Sequence, residues 1–219
     1  MKIICYDTET TDLPQDRWAS TGDPDKWPHA IQVCWLMYDT DSGEVLDVSN
    51  DLVRIGDAHM NPDSVAIHHI TRERANEEGV PIEDVLARFV GAMSVADCMV
   101  GHNTQFDRNI MTVEGVRSGR SNIFRRADGS NMPEYCTMRK GKSASKIERT
   151  DMATGRVNFK RPRLSELHDH LYGETPDGTH DAMVDVLVCF RCYMAIRWDV
   201  VDVLKSSPSF AELWSKHVE

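Results

Sequence analysis

The N-terminal stretch 2–11 (KIICYDTETT) most constrains the fold, because an apolar run leads directly into two acidic residues. Asp7 and Glu9 are two positions apart, and on a β-strand this spacing places both carboxylates on one face, about 7 Å apart. Two carboxylates at the end of a buried strand are costly unless positive charge lies between them. The pattern favours a site for a pair of divalent cations. The alternative is a strand that ends in a polar, solvated turn.

The hydrophobic pattern along the rest of the chain predicts an α/β sandwich with a mixed β-sheet. We expect the first strand to end at Asp7 and a polar loop to cover 12–28. Apolar runs at 29–38 and 44–55 predict two more strands, whose short connections favour antiparallel pairing. Downstream we expect a short or irregular helix at 60–71, helices at 82–93, 104–116 and 181–198, a helix that starts at Leu164 and is stopped by Gly173, a strand at 98–101, and a helical tail at 199–219.

The segment from Arg117 to Arg163 is basic, although the whole chain has a formal net charge of −10. It contains 13 Lys and Arg against 4 Asp and Glu, so the rest of the chain is strongly acidic. We predict long loops here, with a short strand at 134–138. A basic segment on an acidic body favours a local patch for a polyanion, and a solvated loop region is the alternative.

The length of 219 residues suffices for one sizeable core, and we expect a single domain over 1–219. No apolar run approaches the roughly 18 residues that a membrane helix needs, and the run before Asp7 is too short for a signal peptide. We therefore expect a cytoplasmic protein with no membrane partner. Among six cysteines, Cys189 and Cys192 form a CxxC without a second pair to complete a zinc site, so we expect reduced, buried thiols.

Three further polar residues are candidates for ligand binding, metal binding or proton transfer. Asp107 follows a strand-to-helix junction, where backbone N–H groups and polar side chains often contact ligands. Alternatively, it forms a capping box with Thr104 as the N-cap. The two roles can coexist. Asp185 lies on an apolar helix, where a buried carboxylate needs a structural partner or a metal. His180 stands at the start of that helix, where it can take a proton from water and release it. An isolated histidine is otherwise structural.

The stretches DTETT (7–11), GHNTQFD (101–107) and HDAMVD (180–185) resemble, in the same order, the three motifs of the DnaQ-like 3′–5′ exonucleases. The last stretch is of the DEDDh type, with a histidine five residues before the final aspartate. The stretches 66–71 and 135–139 are also similar to members of this family, and the resemblance covers about residues 2–198. It implies a ribonuclease H-like fold, with a central mixed β-sheet flanked by α-helices.

The resemblance also implies a mechanism and a set of site residues. Asp7, Glu9 and Asp185 would hold one Mg²⁺ or Mn²⁺ ion, and Asp7, helped by Asp107 through water, would hold a second. His180 would be the general base for the attacking water, and the products would be nucleoside 5′-monophosphates released from DNA 3′ ends. The residues implied in substrate binding are Thr10, Thr11, Leu13, His102, Asn103 and Phe106.

Two positions depart from the family pattern, since Asp12 and His69 stand where glycine is common. The basic segment also looks long for the family, and we predict an insertion at about 139–163. The residues predicted to contact nucleic acid there are Lys140, Lys142, Lys146 and Arg149.

The expected partner is single-stranded DNA or a DNA 3′ end, and the family makes a DNA polymerase a candidate partner and proofreading or DNA repair candidate roles. Three alternatives stay open. One is a 3′–5′ exoribonuclease of the same fold, because no residue clearly reads a 2′-hydroxyl. The others are a non-catalytic nucleic-acid-binding module and a different metal-dependent nuclease or integrase, which generally lacks the final histidine–aspartate pair.

Overall fold

The computed structural model describes residues 1–16, 18–120, 122–126, 128–178, 180–200 and 202–218, and a five-stranded mixed β-sheet forms its centre. The strands of this sheet are β1 (Lys2–Thr10), β2 (Ala30–Asp39), β3 (Glu44–Leu52), β4 (Cys98–Gly101) and β5 (Glu134–Cys136), and a separate hairpin pairs β6 (Glu148–Thr150) with β7 (Val157–Phe159). The helices are α1 (Pro62–His68), α2 (Arg72–Glu78), α3 (Ile82–Val95), α4 (Thr104–Arg117), α5 (Thr137–Ser145), α6 (Leu164–Tyr172), α7 (Ala182–Trp198), α8 (Val203–Ser206) and α9 (Pro208–His217).

The strand order is β3-β2-β1-β4-β5, with β1 at the centre. The pairs β1–β2 and β2–β3 are antiparallel, whereas β1–β4 and β4–β5 are parallel, so the predicted antiparallel start and mixed sheet are confirmed. The prediction that β1 ends at Asp7 was wrong, because its pairing with β2 continues to Thr10. The register shifts between Glu9 and Thr10, and such irregularities re-aim side chains at the end of a strand.

Alternate residues along β1 face two different hydrophobic cores. Ile3 and Cys5 pack in the core that includes α7, whereas Ile4 and Tyr6 pack in the core that includes α3 and α4. Because side chains alternate along a strand, both acidic residues of β1 face α7, and Thr8 between them faces α4. The strand thus presents two carboxylates to one helix and a hydroxyl to another.

Helix α7 is held at its N-terminal end by two sets of hydrogen bonds. The side chain of Asp181 caps the helix by accepting from the N–H groups of Met183 and Val184. The N–H of the first helical residue donates to Oε1 of Gln32 on β2 at 3.3 Å. The helix is buried over most of its length, as its nearly continuous apolar sequence predicts. Its first turn, which carries Asp185, therefore has a fixed position over the end of β1.

Long loops were predicted over the basic segment 117–163, and this prediction was wrong for the predicted insertion at 139–163, which contains α5 and the hairpin β6–β7. Helix α5 escaped prediction because its sequence is mostly polar and carries Gly141 in its interior. A Cβ atom at this glycine would lie 2.9 Å from Cδ2 of Leu167, so glycine allows α5 to pack closely on α6. The predicted short strand at 134–138 ends at Cys136, where α5 begins.

The expectation of buried, reduced thiols agrees with the structure. All six cysteines are buried and free of disulfides. Trp27 is buried and helps to pack the loop that connects β1 to β2. Within the described part of the chain, no helix has the length and apolar character needed to cross a membrane.

Candidate active site

Three carboxylates meet at the C-terminal end of β1. Asp7 and Glu9 lie on β1 and Asp185 in the first turn of α7, and one oxygen of each lies within 4.8 Å of the others. The alternation of β1 turns the first two towards α7, and the fixed start of α7 brings the third to them. Sequence analysis predicted these residues as metal ligands, and the structure brings all three together.

Burial and mutual repulsion raise the pKa values of these carboxyl groups. Burial is the largest cause at each of the three positions, followed for Asp7 by the negative charges of Asp107, Asp185 and Glu9. The pKa of Asp7 is well above its ordinary value, that of Glu9 is raised to about 8, and that of Asp185 to about 6. A bound cation would relieve both causes, since it replaces lost hydration and offsets the repulsion.

An unpaired oxygen of Asp185 supports the fit to a metal. Its Oδ1 is buried and has no hydrogen-bond partner among the described residues, while Oδ2 accepts from the N–H of His180 at 3.3 Å. A buried polar atom without a partner costs about 1–3 kcal/mol, and more when charged. Carboxylate oxygens are the ligands that Mg²⁺ and Mn²⁺ prefer. The three carboxylates therefore fit a divalent cation.

Asp107 is bonded to Thr8, the residue between the two acidic residues of β1. Its Oδ1 accepts from the N–H of Thr8 at 3.1 Å and from the Thr8 hydroxyl at 2.8 Å. Burial raises the pKa of Asp107 to about 7, although these hydrogen bonds oppose the rise. Among the described residues, the group of three oxygens within 4.8 Å does not include Asp107.

The alternative of a capping box at the start of α4 was wrong. The N-cap is Asn103, not Thr104, and it makes no side-chain capping bond. The Thr104 hydroxyl donates to Glu134 at 2.6 Å instead. The Asp107 side chain thus bonds to β1 and does not cap the start of its own helix.

His180 lies at the edge of the carboxylate cluster. Its side chain is exposed, and its backbone has a φ of 76°, a left-handed conformation that is uncommon outside glycine. The residue directly precedes the Asp181 cap, and its N–H contacts Asp185. The structure therefore places an exposed imidazole beside the carboxylates, as the sequence predicted.

A cleft of about 450 Å³ is lined by two of the three carboxylates, Asp7 and Asp185. Its lining residues are Asp7, His102, Asn103, Met138, Arg161, Pro162, Arg163, Leu164, Ser165, His180 and Asp185. Nε2 of His102 lies 3.1 Å from the carbonyl oxygen of Pro162, and burial lowers the pKa of this imidazole to about 4. His102 is therefore a neutral donor that ties one wall of the cleft to the end of the insertion.

Three of the other predicted substrate-binding residues, Thr10, Thr11 and Leu13, lie at the end of β1 and in the loop that follows it. The hydroxyl of Thr10 donates to the Asp12 carbonyl, and that of Thr11 accepts from the His29 N–H, so both stabilise the loop after β1. The side chain of Leu13 is 71% exposed. Thr11 and Leu13 line a second cavity of about 560 Å³. Their contact with a nucleotide stays a prediction.

At the junction between β4 and α4, Asn103 and Phe106 occupy different environments. Asn103 has a φ of 71° and is exposed at the cleft. Phe106 is partly buried and packs against the core formed with α3 and α4. Only the first of these two lines the cleft itself.

The four predicted nucleic-acid contacts are exposed but lie outside the described cleft lining. Lys140 and Lys142 are on α5, Lys146 ends that helix, and Arg149 is on β6. Sequence analysis did not single out Arg161, which lines the cleft. The basic composition of the insertion was the available signal, but composition does not say which arginine faces the cleft.

Two positioning residues were also missed, Thr8 and Asp181. Thr8 holds Asp107, and the alternation of β1 could have placed its hydroxyl opposite the two carboxylates. Asp181 caps α7, and an aspartate immediately before an apolar helical run is an ordinary N-cap signal.

The chain belongs to the RNase_T exonuclease family, whose model matches residues 4–193. This match covers all the motif residues from Asp7 to Asp185, and it confirms the predicted family and enzyme class. No curated protein sequence matches the chain.

Solved structures of exonuclease I are similar to this fold. E. coli exonuclease I in complex with a dT13 oligonucleotide is 18% identical with a TM-score of 0.66, over 93% of this chain and 43% of that one. The same enzyme with a dA16 oligonucleotide is 18% identical with a TM-score of 0.67, over 94% and 43%. An apo form of exonuclease I is 16% identical with a TM-score of 0.64, over 98% and 46%. The chain thus spans less than half the length of exonuclease I, and the likeness confirms the ribonuclease H-like fold.

Proposed function

We propose that the protein is a metal-dependent 3′–5′ exodeoxyribonuclease that releases nucleoside 5′-monophosphates from DNA 3′ ends. The observation that carries this proposal is the meeting of Asp7, Glu9 and Asp185 within 4.8 Å, beside a cleft that is lined by Asp7, Asp185 and the exposed His180. Membership of the exonuclease family supports hydrolysis of a terminal phosphodiester as the reaction.

Two divalent cations, Mg²⁺ or Mn²⁺, are the proposed cofactors. Asp7, Glu9 and Asp185 would hold one, and Asp7 with Asp107 acting through water would hold the other. When bound, the cations would supply the positive charge that activates water and stabilises the leaving 3′ oxygen. The raised carboxyl pKa values and the unpaired Oδ1 of Asp185 support this assignment.

His180 is the proposed general base. Its imidazole is exposed in the cleft, where it can accept a proton from the attacking water and release it to solvent. The bond from its N–H to Asp185 holds its backbone beside the cluster. The residues proposed to surround the terminal nucleotide are Thr10, Thr11, Leu13, His102, Asn103 and Phe106.

DNA is the proposed substrate, in single-stranded form or at a frayed 3′ end. The similar exonuclease I structures contain dT13 and dA16, which are DNA oligonucleotides. Proofreading beside a DNA polymerase and DNA repair are both roles that this activity would serve.

The test is a time course on 5′-labelled single-stranded DNA and RNA oligomers of the same sequence, with Mg²⁺ and with EDTA. We expect a Mg²⁺-dependent ladder that shortens from the 3′ end, faster on DNA, and absent in Asp185→Ala. Faster shortening of the RNA oligomer would indicate an exoribonuclease instead. Binding without any ladder would indicate a non-catalytic module.

A further inference from the structure

The hairpin β6–β7 lies outside both hydrophobic cores. Every residue from 148 to 159 is exposed, including three large apolar ones. Met152 is 94% exposed, Val157 57% and Phe159 41%. Single exposed apolar residues are ordinary, but three on twelve consecutive residues indicate a surface that contacts something else.

The base of this hairpin has a defined position beside the cleft. The N–H of Lys160 donates to the carbonyl of Ile147 at 2.9 Å, which closes the two ends of the hairpin on each other. The Lys160 ammonium pairs with Glu166 on α6, and Glu166 also accepts from the N–H of Arg163 at 2.8 Å. The hairpin is therefore an anchored projection and not a loose loop.

A groove along the hairpin leads to the catalytic cleft. It has a volume of about 730 Å³, and its lining residues are Arg149, Thr150, Asp151, Met152, Asn158, Phe159, Lys160 and Arg161. Arg161 lines both this groove and the cleft that contains Asp7, His180 and Asp185. A chain that enters the cleft can therefore continue along the groove.

The charge of this region favours a polyanion. The insertion 139–163 carries nine Lys and Arg against two Asp and Glu. One of the two acidic residues, Asp151, accepts hydrogen bonds from the N–H groups of Ala153 and Thr154 within its own turn, which lowers its pKa. Basic side chains that follow a groove next to an aromatic ring are the usual means of binding a single strand without sequence preference.

We propose that the hairpin β6–β7 is a substrate arm that holds the single strand immediately upstream of its 3′-terminal nucleotide. Phosphates would contact Arg149, Lys160 and Arg161, and a base would stack on Phe159. This proposal rests on the proposed function, since it assumes that the 3′ end lies in the cleft. It follows that affinity increases with strand length until the strand spans both cleft and groove.

The first test removes residues 148–159 and joins Ile147 to Lys160 through two glycines. These ends are already paired, and the excised segment contains two basic and two acidic residues, so net charge is unchanged. Binding of fluorescent oligothymidylates is measured by anisotropy in EDTA, where no cleavage occurs. We expect the variant to bind a strand of about 20 nucleotides roughly tenfold more weakly or worse, and a trinucleotide about as well as wild type. An unchanged affinity for the long strand, or an equal loss at both lengths, would overturn the proposal.

The second test keeps the hairpin and reverses one charge. Arg149→Glu should weaken long-strand binding and reduce its salt slope by about 0.7, the value for one lost phosphate contact. The matched control is Arg120→Glu, the same charge change at an exposed position of the basic segment outside the insertion. An equal loss of long-strand affinity in both variants would attribute the effect to net charge and contradict the proposal of a substrate arm.

These readouts separate the two proposals. The arm is judged by binding, so it can stand even if wild type produces no ladder. Conversely, if a variant without the hairpin binds and degrades long DNA like wild type, the substrate-arm proposal is wrong and the exonuclease proposal stands.

Discussion

The carboxylate cluster and the β6–β7 hairpin are positioned by opposite means. The cluster is formed by β1, which lies between two cores in the middle of the sheet, and by α7, which is buried over most of its length. The hairpin is wholly exposed and is attached at its base. The groups proposed to act on one phosphate are thus fixed by packing, whereas the groups proposed to bind the strand project from the body. The comparison indicates that chemistry and substrate binding can be altered separately.

The largest expected effect comes from breaking the cluster. Asp7→Ala or Asp185→Ala should reduce hydrolysis on the order of 10⁴-fold or more, the scale seen when one member of a catalytic unit is lost. The fold should survive, because each change removes a carboxylate whose raised pKa shows that its charged form is disfavoured there. Initial rates and circular dichroism are the measurements. Near wild-type rates in either variant would exclude that residue as a metal ligand.

His180→Ala should lower turnover about 10²–10⁴-fold, which is the usual contribution of a general base. Added imidazole should restore part of the rate, since a small base can enter an exposed position. His170→Ala is the matched control, because His170 is an exposed histidine on α6. If both variants lose activity equally, or if imidazole restores nothing, His180 is not the base.

The metal-free protein should lose stability as pH rises from about 6.5 to 8.5. The pKa values of Asp107 (about 7) and Glu9 (about 8) exceed the ordinary carboxyl value, so the folded chain binds more protons than the unfolded chain in this window. By linkage, the free energy of unfolding then decreases with pH. The buried histidines, whose pKa values are lowered, oppose this trend up to about pH 7.5, where the unfolded imidazole has lost its proton, so the decrease should be steepest between about pH 7.5 and 8.5.

Divalent cations should reverse this trend, because they replace protons on the cluster. We expect Mg²⁺ to raise Tm by a few °C more at pH 8.5 than at pH 6.5, a difference that scanning fluorimetry can measure. Asp185→Asn should reduce this gain, and Asp128→Asn, at an exposed carboxylate, should not. A cation effect that is independent of pH would contradict the assignment of Glu9.

The smallest expected effect tests how the insertion is anchored. Gly141→Ala should destabilise the protein by about 1–3 kcal/mol, because the added Cβ meets the Leu167 side chain at 2.9 Å. Gly91→Ala is the matched control, since a Cβ in α3 at this position meets nothing within 4 Å, and it should stabilise by about 0.5–1 kcal/mol. Urea unfolding measures both. Equal effects would mean that α5 is not closely packed on α6.

Sequence analysis predicted the centre of the molecule well and its insertion poorly. Helices α3 and α7 carry periodic or long apolar patterns, and β4 is a short apolar run. The helix α6 begins at Leu164, as predicted, and ends before Gly173. The type and approximate bounds of these elements could therefore be predicted. The insertion has no such pattern, because its helix is polar and its hairpin buries nothing. Its structure depends on contacts such as the close approach of Gly141 to Leu167, which local sequence does not reveal.

The candidate site divides in the same way. The spacing of Asp7 and Glu9 encodes their shared face, and the order of the motifs suggested Asp185 as a third partner. The bond from Asp107 to Thr8 could not be foreseen, because it joins residues 99 positions apart through the packing of α4 on β1. Likewise, only the folded chain shows that Arg161 faces the cleft.

The alternation along β1 makes the candidate site more sensitive to changes in the length of the strand than to conservative substitutions of its apolar residues. Deleting or inserting one residue between Ile3 and Asp7 would exchange the two faces of the following part of the strand, moving both carboxylates towards α4 and Thr8 towards α7. Conservative changes of the apolar residues would only alter packing. In a library of random variants, single-residue insertions and deletions within β1 should therefore be the least tolerated class, and those within 148–159 among the best tolerated.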